Sequence, residues 1–202
     1  MSRAGSARGE FFVGIALLLA MCATRMRWVA SDDHFGAGTG LPDASWAIFF
    51  LAGLLTARLR WPALLLASAA TLDAIALRIG VSSYCVTPAY AFLLPTYLTL
   101  WAGGRWAALG NQVGVRQLAR TGLALATTVT AAFLISNVSF YYLAGYFDDM
   151  PPGVYADRVS RHLPHYLLNS AMYCAVAWLS AYVWQGWRAV VARGIGGQKT
   201  KR

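Results

Sequence analysis

The sequence predicts an all-α integral membrane protein of six transmembrane helices with both termini on the cytoplasmic side, and three observations carry that expectation. Only 12% of the 202 residues are charged while 58% are hydrophobic, about half the charge of an ordinary soluble domain. Six apolar stretches approach the roughly 20 residues that cross a bilayer's hydrocarbon core. Arg and Lys gather in alternate connections, as cytoplasmic loops do. This composition excludes an ordinary cytosolic enzyme, and eight Trp, ten Tyr and nine Phe exclude a disordered chain.

The first stretch, 11–30, follows Arg3 and Arg8 and runs unbroken into Val29. A signal peptide is the rival reading of this segment, and Met21 before Cys22 fits a lipoprotein site poorly. The remaining stretches are 44–57, 62–77, 88–103, 121–143 and 166–186. Three of them are short, so their ends are expected to move by several residues, some of them into polar flanks. The longest interruption, Gly145 to His165, leaves no room for a separate soluble domain, and the chain reads as one membrane domain with a basic tail at 188–202.

With both termini inside, the inner segments hold Arg3, Arg8, Arg58, Arg60, Arg105, Arg116, Arg120, Arg188, Arg193, Lys199, Lys201 and Arg202, which is 12 of the 17 basic residues. The outer loops hold Asp32, Asp33, Asp43, Asp148, Asp149 and Asp157. Topology thus accounts for the net charge of +9. A nucleic-acid partner would need the basic residues on one folded face, and they are spread over four segments. Trp28, Trp46, Trp61, Trp101, Trp106, Trp184 and Trp187 lie near span ends and read as an interfacial belt.

Asp73 is the only acid inside a span, where a carboxylate needs a partner or a wet cavity. It reads either as a ligand-facing acid or as an interhelical partner for Arg78 or a Tyr hydroxyl. Asn137, Ser139 and Asn169 sit near the outer ends of the fifth and sixth spans, where such groups commonly join helices. With Asp73, Cys85 and Tyr90 they fall on the outer half, which suggests a cavity open to the outside. The loop His34-Phe-Gly-Ala-Gly-Thr-Gly-Leu-Pro-Asp-Ala-Ser45 allows close backbone approach but lacks the Lys-Ser/Thr of a phosphate loop.

Cys22 and Cys174 lie in apolar spans, where a thiol behaves as a small hydrophobe. Cys85 lies in the short outer loop from Gly80 to Pro88 and is the thiol an external ligand would meet. No metalloprotease, nucleophile-elbow or Cys-x-x-Cys pattern occurs.

Four stretches carry a family resemblance: His34-Phe-Gly; Leu41-Pro-Asp-Ala-Ser45 leading into Phe49-Phe-Leu-Ala-Gly53; Tyr84-Cys-Val-Thr-Pro-Ala-Tyr90; and Ile135-Ser-Asn-Val-Ser-Phe-Tyr141. The chain resembles, over nearly its whole length, the small proteobacterial membrane proteins of the BtuM type. These are solitary S components of the energy-coupling-factor vitamin transporter class, with cobalamin as substrate.

The resemblance implies a six-helix S-component-like bundle in the bacterial inner membrane with a corrinoid pocket near the outer face. Cys85 would be the axial ligand to cobalt, with removal of an axial ligand such as cyanide as an accompanying activity. Asp73 and Tyr90 match polar pocket positions. Tyr84, His34, Asp43, Ser45, Thr87, Asn137, Tyr141 and His165 complete the candidate ligand set. No intrinsic cofactor is implied. The chain has no ATP-binding motif, so any ATP use belongs to separate coupling and ATPase subunits, which a solitary type does not require. Ala16-Leu-Leu-Leu-Ala20 has a small-xxx-small spacing suited to close helix contact. The competing readings are an S component for another vitamin, a membrane enzyme using Cys85 with His34, His162 or His165 as base, and a structural membrane subunit.

Overall fold

The computed structural model describes residues 7–29, 42–80, 82–110 and 114–198, with side chains for all of these but 26–29, 85 and 185–198. Among the described residues the fold is all-helical. Seven α-helices follow in order: α1 (Ala7–Val29), α2 (Ser45–Leu55), α3 (Arg60–Arg78), α4 (Leu93–Ala108), α5 (Val115–Leu143), α6 (Pro152–Ser160) and α7 (Leu163–Gln198). Two short 3₁₀ segments, Ser83–Cys85 and Pro88–Phe92, join α3 to α4. Each of the six apolar stretches is helical over most of its length, and α6 is an additional short helix within the interruption before the last stretch.

Among the described residues four stretches of helix are long and apolar enough to cross a membrane: Ala7–Arg25 of α1, Arg60–Arg78, Val115–Leu143, and the run from Pro152 to Trp184 that contains most of α7. Helix α2 differs from expectation. Its 11 residues rise only about 16 Å at 1.5 Å each, well short of a bilayer's hydrocarbon core. Asp43 and Ser45 begin it with side-chain hydrogen bonds, and the extended Thr56 ends it. It compensates by being buried nearly all round, from Ser45 through Gly53. The stretch from residue 188, expected as a tail, continues α7 as helix to Gln198.

The helices alternate in direction. The start of α1 meets the α2–α3 connection, where the Glu10 carboxylate lies 3.5 Å from Arg58 Nε. The end of α1 meets the start of α2 and the last turns of α3. The core is built from stripes at helical spacing: Leu17 and Met21 on α1; Trp61, Leu65, Ala69 and Ala76 on α3; Tyr97, Leu100 and Ala107 on α4; Leu125, Val129, Ala132 and Phe133 on α5. Around them, α2 supplies Ile48, Phe49, Phe50 and Ala52.

Helix α7 packs on the outside of this core against α2 and α5. It exposes Leu168, Met172, Val176, Trp178, Leu179 and Val183. An apolar exterior of that extent suits lipid.

Trp61 departs from the interfacial belt. It is only 2% exposed because its indole packs flat against Gly14 of α1, where a methyl group would strike the ring. Trp106 and Trp184 are exposed, whereas Trp46 and Trp101 pack partly against the core. Trp28 and Trp187 lie outside the described side chains.

Candidate functional site: a buried arginine cluster beneath the Cys85 segment

The core stripe of α1 runs through Gly14, Leu17 and Met21, and the next positions at that spacing are Thr24 and Arg25. Arg25 is therefore carried into the interior, where it is 7% exposed. The stripe of α3 does the same for Asp73, four residues beyond the buried Ala69. The two meet as a bidentate pair: Arg25 Nε donates to Asp73 Oδ1 at 2.8 Å and Nη2 to Oδ2 at 2.7 Å. Nη2 also lies 2.6 Å from Oδ1, so the planar fork that lysine lacks grips both carboxylate oxygens.

The remaining nitrogen of the guanidinium faces the start of α2. Arg25 Nη1 donates to Asp43 Oδ2 at 3.0 Å and to Ser45 Oγ at 3.1 Å, with the Tyr97 hydroxyl of α4 at 3.5 Å. Asp43 in turn accepts from the backbone N–H and the hydroxyl of Ser45 through Oδ1, a local turn typical of aspartate before a helix. Tyr97 is held by a parallel stack on Phe49, with centroids 4.2 Å apart. One cation thus joins α1, α2, α3 and α4. Facing two carboxylates, it leaves the cluster one formal negative charge.

Three further side chains anchor this end. From α7, Asn169 Nδ2 donates to the backbone oxygen of Asp43 at 2.9 Å, and the Tyr173 hydroxyl to that of Pro42 at 2.6 Å. Thr24 Oγ1 accepts the N–H of Ala44. The chain entering α2 is fixed on three sides.

Above the cluster runs the connection from α3 to α4. Its second 3₁₀ segment, started by Pro88, brings Tyr90 over α3, and the Tyr90 hydroxyl donates to Asp73 Oδ2 at 2.6 Å. Of the two partner types expected for Asp73, the tyrosine hydroxyl is found, and the cation is Arg25 rather than Arg78. The backbone of Cys85 closes the first 3₁₀ segment, where Ser82 Oγ accepts the N–H of Tyr84. The Cys85 side chain is outside the described set, as are His34 and the loop from 30 to 41.

An aromatic layer flanks this connection. Tyr84 stacks on Tyr146 with centroids 4.5 Å apart and touches Phe140 edge-on. Phe147 lies between Phe140 and Tyr155, and Tyr141 packs against Tyr155. The layer is tied by hydroxyls: Tyr146 to the Tyr84 carbonyl, Tyr141 to the Met150 carbonyl and Tyr155 to the Asn137 carbonyl.

The candidate residues therefore divide. Asp73, Tyr90, Asp43 and Ser45 meet in one hydrogen-bonded cluster. Tyr84 and Tyr141 belong to the adjoining aromatic layer. Thr87 caps the Tyr90 segment, with its hydroxyl buried and unpaired. Asn137 turns its amide back onto the Phe133 carbonyl of its own helix, and Ser139 likewise onto Ser136. His165 is exposed in the first turn of α7. Arg25 was not among the expected residues, although a cation within an apolar span is itself a signal of a polar site.

Fold and site together define the class: an all-helical bundle with lipid-suited outer faces and a buried ion cluster at one end, overlain by a short cysteine-bearing connection. No protein-family model and no curated protein sequence matches the chain.

Proposed function

We propose that the chain is an uptake protein for cobalamin or a related corrinoid in the bacterial inner membrane, with Cys85 as an axial ligand to the substrate's cobalt. The observation that carries this reading is the hydrogen bond from Tyr90 to Asp73. It ties the Cys85-bearing connection to the arginine cluster and beside the aromatic layer, so one end of the bundle gathers a thiol-bearing loop, polar groups and broad apolar faces. A corrinoid needs all three, since its ring is wide and flat and its rim carries amides.

In this reading α1, α3, α5 and α7 are joined by α2 and by α4 with its preceding 3₁₀ segment to make six spans. The end holding Glu10, Arg58, Arg105, Arg116 and Arg120 faces the cytoplasm, where positive charge is retained. The Arg25 end then faces outward. Both termini are cytoplasmic.

The chemistry follows from coordination. Corrin nitrogens fill the equatorial plane of cobalt, so a protein can reach only an axial position. A thiolate is a soft, strong donor for that position, and ligation favours the deprotonated sulfur. With cyanocobalamin, the Cys85 thiolate forms a sulfur–cobalt bond as the cobalt–cyanide bond breaks. Cyanide leaves with the electron pair and takes a proton from water, and the oxidation state of cobalt is unchanged. Any ATP use belongs to separate subunits.

The test is growth on limiting cobalamin by bacterial cells that lack other corrinoid uptake. Expression of the chain should restore growth, as should Cys22→Ala and Cys174→Ala, while Cys85→Ala should not. Equal growth with Cys85→Ala, or none with the unaltered chain, would overturn the reading.

A further inference from the structure

We infer that Arg25 is a positioning residue: acting through Asp73 and Tyr90, its guanidinium sets where the connection from Ser83 to Phe92, and with it Cys85, sits on the bundle. Its functional meaning rests on the corrinoid reading, but the geometry beneath it involves no ligand.

The connection consists of two short 3₁₀ segments, with Val86 N–H bonding the Ser83 carbonyl and Tyr90 N–H the Thr87 carbonyl at their ends. Its second segment packs on α5 with Ala89 buried, and two side-chain anchors tie the stretch on either side of Cys85 to the rest of the fold. On one side of Cys85 in the chain, Tyr84 stacks on Tyr146 and its carbonyl accepts the Tyr146 hydroxyl. On the other side, Tyr90 reaches Asp73.

The second anchor depends on Arg25 because a single oxygen serves both bonds. Asp73 Oδ2 accepts from Arg25 Nη2 at 2.7 Å and from Tyr90 at 2.6 Å. The orientation of that oxygen is set by the bidentate grip, since Nε holds Oδ1 at the same time. A carboxylate held by one point charge turns about its Cβ–Cγ bond, whereas one held by a fork does not. Arg25 is itself fixed from the far side by Asp43 and Ser45, so the rigidity of the α2 entry is passed to the connection through a chain of charge-assisted bonds.

The experiment uses the full chain in lipid nanodiscs, without ligand, in a Cys22→Ser/Cys174→Ser background that leaves Cys85 as the sole thiol. The readout is the rate of Cys85 modification by a maleimide, measured at a temperature where melting curves show every variant folded. Tyr90→Phe should change the rate roughly ten- to a hundredfold, the range that losing a hydrogen bond to a charged group gives in a local opening equilibrium. Arg25→Lys keeps the charge but loses the fork, and should change it similarly. The double variant should differ little from either single one, because both act on one chain of contacts.

Asp73→Asn is the second route, needed if Arg25→Lys does not fold. It leaves Tyr90 an acceptor but weakens the hold of Arg25, and it too should change the rate. Wild-type rates in Arg25→Lys and Asp73→Asn, with or without a lowered melting temperature, would overturn the inference, as would additive effects in the double variant.

A last arm separates this inference from the corrinoid reading. Added cobalamin should protect Cys85 in the otherwise unaltered chain. Rate differences without protection would sink the corrinoid reading and leave Arg25 in its role. Protection with identical rates would do the reverse.

Discussion

Gly53 of α2 and Gly104 of α4 bring two helix backbones into direct contact: a methyl group on Gly53 would strike the Trp101 carbonyl, and one on Gly104 the Phe50 carbonyl. The obstacles are main-chain atoms, which cannot turn aside as a flexible side chain does. This contact is what lets the short α2 sit largely inside the bundle and present Asp43 and Ser45 to Arg25.

Gly53→Leu and Gly104→Leu should therefore each destabilise the fold by at least the ~1–3 kcal/mol typical of overpacking. Gly122 of α5, which has open space around its would-be methyl group, is the matched control. Gly122→Ala should be neutral or stabilise by up to about 1 kcal/mol through helix propensity. Thermal denaturation in detergent would read both, and equal losses at the three sites would contradict the close-contact account.

Arg25→Ala leaves two carboxylates facing each other without their cation and should cost about 3–5 kcal/mol, the range for breaking a buried pair from one side. Removing Asp73 as well should cost much less than the sum of the two single losses. A double-mutant cycle on denaturation measures this, and additive losses would show that the pair contributes nothing jointly.

Tyr173→Phe removes only the hydroxyl that bonds the Pro42 carbonyl from α7. A loss of about 0.5–1.5 kcal/mol is expected from one such bond. Tyr182→Phe, at an exposed position on the same helix, should change nothing measurable.

Orientation is testable by cysteine mapping in an otherwise cysteine-free chain. Asp148→Cys, in the connection after α5, should react with an impermeant maleimide on intact cells. Arg116→Cys, at the start of α5, should react only after the membrane is opened. The reverse pattern would invert the proposed topology.

The helices were legible in the sequence because apolar runs and charged connections report burial directly. The stripe that carries Leu65 and Ala69 inward also carries Asp73, so its need for a partner could be read without coordinates. Its cation could not be assigned so easily: counting arginines in loops to orient the chain passes over Arg25, whose place on the core stripe of α1 is what pairs it with Asp73. The shortness of the 44–57 stretch is plain in the sequence; that α2 does not extend into its polar flanks is not, because the hydrogen-bonding side chains of Asp43 and Thr56 set its limits. Trp61 looked like a belt residue from its position near a span end, and only the bare backbone of Gly14 opposite it makes room for it inside. Asn137 shows the opposite difficulty, since nothing in a sequence distinguishes an amide that joins two helices from one that bonds its own.

The most direct test of the central claim is the visible absorption spectrum of the purified chain with added cobalamin, beside Cys85→Ala. The account predicts corrin bands that stay with the protein and are shifted in the unaltered chain, with that shift lost in Cys85→Ala and kept in Cys22→Ala and Cys174→Ala. Retained bands with the same spectrum in all four proteins, or no retained corrinoid in any of them, would contradict cobalt ligation by Cys85.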